Sequence, residues 1–461
     1  MWWAPRFGGP TRAERMGGWY HPYVPDLLAG WDPLLPGSLA ASVAQAEAQV
    51  RALNSPDVGH HFGLAGMGRF LLRAESVGSS AIEGLRIGPR RLLAAEEQLA
   101  KGADVADRAA AEVVGNIDAM RLAIGLAGRQ RPVVVGDLLE VHKLLMDRSP
   151  TPELGGVLRR EQGWIGGGSF NPCNAAYVPP PPDRVPELMR DLVAYVNTEY
   201  HSPLTQAAVA HAQFETIHPF GDGNGRAGRA LVHIVLQRRG LAPRFVPPVS
   251  LVLSTWSDSY VEGLTNFRHE GPADSPQRDT ALHLWLDTFA AATRRACDTA
   301  VEYGDRINQL TGEWNQQLGR YRKGSALDLL VDVLPGAPLL TPDRAAQLVG
   351  RSPVAVRGAI TQLLDAGILR LRPSSSPRNR LLEAPSVIHM LTSLERTLAT
   401  PQGNTVRERP VRPVPDRPTP TNKALYVPDA ETDPVGYQMD TDLATHIRQE
   451  GRDRPHRPRS L

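Results

Sequence analysis

A histidine, a carboxylate, a glycine-rich turn and two arginines fall within twelve residues, His218-Pro219-Phe220-Gly221-Asp222-Gly223-Asn224-Gly225-Arg226-Ala227-Gly228-Arg229. An imidazole of near-neutral pKa is suited to take the proton from a hydroxyl as it attacks phosphorus. Glycines on either side of Asn224 let the backbone approach an anion closely. A helix that starts there offers unpaired N–H groups and a partial positive charge. Arg226 and Arg229 are three apart, so they leave that helix on one face and can grip the outer phosphates of a nucleotide together. Asp222, just before the turn, is placed to hold a divalent cation. Magnesium suits it, because a hard cation prefers carboxylate and phosphate oxygen. The stretch reads as a nucleotidyl-transfer site.

Two helices must position these groups. Leu204 to Ile217 repeats apolar residues at helical spacing (Leu204, Ala207, Ala208, His211, Phe214, Ile217), and Pro219 cannot continue a helix, so the first ends near His218. Arg226 to Arg239 is helix-like again and is stopped by Gly240. The turn therefore opens a helix.

The stretch resembles the Fic-domain signature: His-Pro-Phe, a variable residue, Asp or Glu, Gly-Asn-Gly-Arg, two variable residues, Arg. Every fixed position matches. Most Fic enzymes transfer AMP from ATP to a hydroxyl side chain of a target protein and release pyrophosphate. The resemblance implies His218 as base, Asp222 as Mg²⁺ ligand, Gly223, Asn224 and Gly225 as anion hole, and Arg226 and Arg229 as ligands of the β/γ-phosphates of ATP.

Upstream, Phe70 to Gly84 is a helical run closed by glycine, with Glu83 in its last turn. A carboxylate there faces the negative end of the helix dipole, at a cost of about 0.3–1 kcal/mol unless a cation lies opposite. Alone, it reads as a solvated helix-end acid. The segment also resembles the Fic inhibitory helix, Ser or Thr, three variable residues, Glu, then Gly or Asn, matched by Ser79, Glu83 and Gly84. The resemblance implies that Glu83 pairs with Arg229, stands in the place of the γ-phosphate and keeps the resting enzyme off.

Gly156 to Gly167 and Asn174 to Pro182 read as a hairpin whose prolines mark an unpaired edge. Such an edge can add an extended peptide as another strand, or can simply be a stiff surface loop. This matches the Fic flap, with Ala176, Tyr177 and Val178 as the residues that would register a target. Tyr260 and Leu264 are similar in place to the family's tyrosine and leucine that wall the adenine, although spacing alone reads them as helix core. His142 reads as a core or surface histidine, and Cys173 as incidental.

Around these lie predicted helices Ser38 to Leu53, Asp107 to Leu126, Val135 to Met146 and Thr280 to Lys323, with Met1 to Leu35 an irregular aromatic arm. Beyond, Ala326 to Val333, Pro342 to Val349 and Ser352 to Ala366 have helix-turn-helix spacing. A strand at Ile368 to Arg372 and a basic turn at Pro373 to Arg380 complete a winged-helix layout. Arg351, Arg357, Arg370, Arg372, Arg378 and Arg380 could meet DNA phosphate, while Arg357, Thr361 and Gln362 offer little base readout. The partner of this unit is DNA or a protein. From Pro401, Pro, Arg, Asp and Thr dominate as in a disordered tail.

The chain of 461 residues has room for two or three domains. At 41% hydrophobic and a net charge of +2, it is neither disordered throughout nor a polycation. Two cysteines without a C-x-x-C, no signal-peptide layout over Met1 to Gly9 and no long apolar run point to a cytoplasmic protein without membrane contact. The expected fold is mainly α: a Fic helical core with a small β-hairpin flap, a winged helix-turn-helix module and a disordered tail. The expected segments are 1–106 with the inhibitory helix at 63–84, the core at 107–300, a linker helix at 301–324, the module at 325–397 and the tail at 398–461. The expected function is an autoinhibited protein adenylyltransferase using ATP and Mg²⁺ on a Ser, Thr or Tyr hydroxyl of a target, itself included. The alternatives are AMP removal or transfer of another nucleotide at the same site, and a DNA-binding regulator whose site senses nucleotide.

Overall fold

The computed structural model describes residues 1–5, 11–55, 64–167, 170–273, 275–372 and 381–397. The basic turn expected at 373–380 and the tail from 398 lie outside the described residues. The chain divides into two units, Met1–Ile388 and His389–Leu461, the first of which carries the helical core and the glycine-rich turn.

The N-terminal arm of this first unit is irregular over most of its described length, as expected, apart from a short paired segment. Strands β1 (Trp2–Trp3) and β2 (Gly18–Trp19) pair antiparallel across a short helix α1 (Arg12–Arg15). The edge-to-face contact Trp2–Trp19 spans the two strands and supports the pairing, and Trp3 packs edge-to-face on Trp164 of the flap.

Helix α2 (Gly37–Leu53) is followed by α3 (Leu64–Ile82), α4 (Pro89–Ala100), α5 (Arg108–Ala127) and α6 (Val135–Met146). Then come α7 (Val185–Val196), α8 (Pro203–Ile217), α9 (Asn224–Arg238), α10 (Val249–Leu253), α11 (Ser257–Phe267) and the 43-residue α12 (Pro276–Leu318). Helix α8 is the axis of the core, buried along almost its whole length. Its start is set by Ser202, whose side chain accepts from Thr205 N, with proline at the next position. Glu47 on α2 accepts from Leu204 N at 2.9 Å, and Trp285 on α12 donates to Ala208 O at 2.8 Å. Helix α9 packs on α8, α5 and α6, and α12 runs along α2.

The flap is less of a hairpin than expected. Ile165 and Tyr177 form an isolated antiparallel bridge, since Pro179 to Pro182 have no N–H to extend the ladder. One of its outward carbonyls, Val178 O, accepts from Tyr23 N at 2.8 Å, so that edge is partly covered by the N-terminal arm.

After α12 come α13 (Ala326–Val333), β3 (Leu339–Leu340), α14 (Pro342–Val349), α15 (Pro353–Asp365), β4 (Arg370–Arg372), β5 (Leu381–Glu383) and α16 (Pro385–Thr397). Ser325, Thr341 and Ser352 each cap their helix through the side-chain oxygen. The strands form an antiparallel sheet in the order β3-β5-β4. This module rests on α3 and α4: Arg73 donates to Gly336 O at 3.1 Å, and Thr341 N to Glu97 at 3.2 Å. No described helix is long and apolar enough to cross a membrane.

Candidate active site

The turn between α8 and α9 is built from backbone outward. His218 closes α8 by donating its N–H to Phe214 O at 2.9 Å. It then takes the left-handed conformation (φ 48°, ψ 61°), the one non-glycine among the described residues with positive φ. Asn224 clamps the other side. Its Oδ1 accepts from Phe220 N at 2.8 Å and its Nδ2 donates to Phe220 O at 2.9 Å. Gly223 has φ 74°, and a Cβ there would lie 2.9 Å from Met146 Sδ and 3.2 Å from His142 Nε2. Only glycine fits so close to α6 at that φ.

His142 is more than a core histidine. Its ring stacks on Phe220 with centroids 3.6 Å apart. Gly156 N donates to Nδ1 at 3.0 Å, which leaves Nε2–H to donate to Asp222 O at 2.9 Å. Burial holds its pKa down at about 4, so the ring is a neutral brace of fixed tautomer. Sequence carried a faint signal for it, a histidine among the buried positions of a predicted helix.

The His218 pKa is lowered to about 4, first by burial and then by the Arg159 guanidinium. The Glu215 carbonyl and the Glu83 carboxylate pull the other way. The imidazole is therefore neutral at physiological pH. Asp222 is exposed, with Oδ1 accepting from Gly223 N at 2.6 Å.

The two arginines differ. Arg229, 2% exposed, is fully engaged. It donates from Nε to Ser79 Oγ at 2.9 Å and from Nη2 to Ser79 O at 2.8 Å. It also donates from Nη2 to Glu83 Oε1 at 2.7 Å and from Nη1 to Tyr260 Oη at 3.3 Å. Arg226, equally buried, has no hydrogen bond on Nε or Nη1, and Glu112 stands 3.9 Å away. Desolvation raises the pKa of Glu112, against the pull of Arg226.

Glu83 lies directly on the start of α9. A Cβ on Gly225 would come within 1.9 Å of its Oε1. Burial works to raise its pKa, but Arg229 more than reverses this, with Arg226 and His218 adding to the pull, and the carboxyl titrates below its usual range. The helix that precedes it is tied down nearby. Asn116 Nδ2 donates to Ser76 O at 2.9 Å and to Ser80 Oγ at 3.0 Å, and Glu75 accepts from Ser250 N at 2.7 Å. Glu215, one turn before His218, has a buried Oε1 without a partner. Burial raises its pKa to about 7, with Glu83 adding to the rise and Arg229 opposing it. Gly228 makes room for it, since a Cβ there would be 2.6 Å away.

Tyr260 and Leu264 are buried on α11. The Tyr260 hydroxyl meets His211 Nε2 at 2.9 Å as well as Arg229, so this residue backs the arginine. In the flap, Ala176 is exposed while Tyr177 and Val178 are buried. Tyr177 donates to Thr216 O and carries Arg268 over its ring at 3.7 Å. Cys173 lies against Gly18 of the N-terminal arm. Arg159, unmarked by any sequence pattern, reaches both the flap and the turn: Nε donates to His218 O at 2.8 Å, and Nη2 to Pro180 O.

The buried, unpartnered nitrogens of Arg226, beside the glycine-lined start of α9, fit a polyphosphate. Among the described residues no three His, Cys, Asp or Glu side chains cluster. A cation here would rest on Asp222 and on oxygens brought by the nucleotide, as Mg²⁺ does.

Residues 132–236 match the model of the Fic/DOC family. The chain is 34% identical over 139 residues to Protein adenylyltransferase Fic of Drosophila willistoni, covering 30% of this chain and 26% of that one. To the protein of the same name in Drosophila melanogaster it is 32% identical over 208 residues, covering 43% and 39%. The chain thus spans well under two thirds of the length of these relatives. Among solved structures, a Fic family protein from Desulfovibrio desulfuricans G20 is similar at a TM-score of 0.48 and 23% identity, over 77% of this chain and 98% of that one.

Proposed function

We propose that this chain, whose residues 132–236 match the Fic/DOC family, is a protein adenylyltransferase held off by its own Glu83. One observation carries the reading. A carboxylate from the turn that closes α3 stands on the α9 N-terminus, 2.7 Å from Arg229, where the helix dipole and the arginine call for a phosphate.

With Glu83 withdrawn, the phosphates of ATP lie along Gly223, Asn224 and Gly225, gripped by Arg226 and Arg229. Asp222 would hold a magnesium ion, which neutralises phosphate charge when bound. Tyr260 and Leu264 serve the adenosine end, Tyr260 also by fixing Arg229. The flap at Ala176, Tyr177 and Val178 lays a target segment across the site. Neutral His218 accepts the proton of the target hydroxyl as its oxygen bonds to the α-phosphorus. The α–β phosphoanhydride bond breaks, AMP stays on the hydroxyl oxygen and pyrophosphate leaves. Ser79 holds Arg229 in place, so the plug and the phosphates compete for one guanidinium.

The test is incubation of wild type, Glu83→Gly and Glu83→Gly/His218→Ala with α-labelled ATP and magnesium. Label on protein, the enzyme included, is expected for Glu83→Gly alone. No label on any protein with Glu83→Gly, or equal label without His218, overturns the reading. The 326–388 module offers a partner the exposed residues Arg351, Arg357, Thr361 and Gln362. Salt-dependent binding of duplex DNA by the whole chain would identify that partner as DNA, and its absence points to protein.

A further inference from the structure

We infer that Arg159 is a positioning residue that holds the flap and His218 in one register, so that a hydroxyl laid on the flap arrives at the imidazole. This role rests on the transfer reading.

Arg159 is 8% exposed, and its hydrogen-bond acceptors are backbone carbonyls. Nε donates to His218 O at 2.8 Å, Nη1 to Glu161 O at 3.2 Å, and Nη2 to Pro180 O and, at 3.4 Å, to Ile217 O. Its own N–H donates to Pro219 O at 2.9 Å. Among the described residues no carboxylate faces the guanidinium, and burial pushes its pKa down to about 10. A buried cation without a counter-ion is costly, and a guanidinium that served only to fill space would be poorly chosen. What the fork does here is join three pieces of backbone far apart in sequence. Glu161 and Pro180 belong to the two sides of the flap bridge, and His218 is the residue in left-handed conformation whose ring must be aimed.

Every nearby part of the turn has another holder. Asn224 clamps Phe220 and His142 braces Asp222. The His218 carbonyl has Arg159 as its side-chain donor among the described residues. Lysine, a point charge with three donors, cannot span these acceptors as the planar fork does.

The test uses the full chain carrying Glu83→Gly, with Arg159→Met or Arg159→Lys added, each checked for a cooperative thermal transition. Both should lower kcat for protein labelling, Arg159→Met by about a hundredfold, because a misplacement of about 1 Å costs that much in an aligned reaction. The KM for ATP should stay within about twofold, since the phosphate ligands do not touch Arg159.

The closeness of the Arg159 charge to the His218 ring has its own readout in the titration of that ring. The groups acting on the His218 ring are Arg159, Glu83, Arg268 and the Glu215 backbone. Arg159→Met removes a cation, so the His218 titration followed by NMR should rise, while Arg159→Lys leaves it near the parent value. Should Arg159→Met not fold, Arg159→Lys carries the test through its rate. A folded Arg159→Lys that labels as fast as its parent, or a rate loss accompanied by an equal rise in KM for ATP, overturns the inference. If Glu83→Gly itself labels nothing, the transfer reading falls, and an unmoved His218 titration in Arg159→Met then removes the role of Arg159 separately.

Discussion

The turn at 218–229 and the module at 326–388 both bury charge, and they dispose of it in opposite ways. In the module each buried acid is satisfied by the fold. Asp328 accepts from Lys323 at 3.0 Å and Gly324 N at 2.8 Å, Glu383 takes Arg370 and Arg90, and Glu97 from α4 accepts from Thr341. Around the turn, Arg226 Nε and Nη1 and Glu215 Oε1 are buried and unpartnered. Leaving such groups unmade costs about 1–3 kcal/mol each. Bare atoms occur elsewhere too, at Ser42 Oγ and Gln49 Oε1 for example, but those of Arg226 lie beside the glycine-lined start of α9, where an anion would relieve them.

Four measurements can break or sharpen this contrast. The largest effect belongs to His218→Ala in the Glu83→Gly chain, where protein labelling should fall by about 10²–10⁴-fold, as for loss of a general base. Next, Arg226→Met in the same chain should raise the KM for ATP by roughly tenfold to a hundredfold, the worth of about 1.5–3 kcal/mol for charged hydrogen bonds. An unchanged KM would mean that its bare nitrogens await nothing.

The third concerns pH. The base must be neutral to act, and His218 titrates at about 4, so activity is lost only as pH falls through that value. Between pH 7.5 and 5.5 kcat should therefore change less than about twofold, where a histidine of ordinary pKa would lose about tenfold. The smallest effect on catalysis belongs to the module. Glu97→Ala should lower unfolding stability by about 1–3 kcal/mol, read by urea denaturation, because Thr341 loses its buried partner. Labelling by the Glu83→Gly chain should not change.

Much of this architecture was legible. Helices α13 and α14 have the expected bounds, and α8, α9 and α15 fall within two residues of them, because Ser202, Thr341, Ser352, Pro219 and Gly240 are local stop and start signals. Helices α4 and α7 formed where none was expected: α7 follows a run of four prolines that reads as loop, and α4 lacks a side-chain cap. The pairing of β1 with β2, and of β3 with β5, involves two-residue segments too short to show a period.

What sequence alone determined is the inventory of the site: a base, an acid, a glycine turn and two arginines on one helix face, with a second acid predicted from family resemblance to join them. These are matters of residue type and short spacing, which backbone sterics translate directly. Only the tertiary structure decided which groups are satisfied. Arg229 is saturated by Ser79, Glu83 and Tyr260, its neighbour Arg226 is left bare, His142 becomes a brace and Arg159 a tie between flap and turn. Hydrogen-bond partners 31 to 150 positions apart in the chain meet through helix packing, and the desolvation that lowers or raises each pKa exists only once that packing has closed.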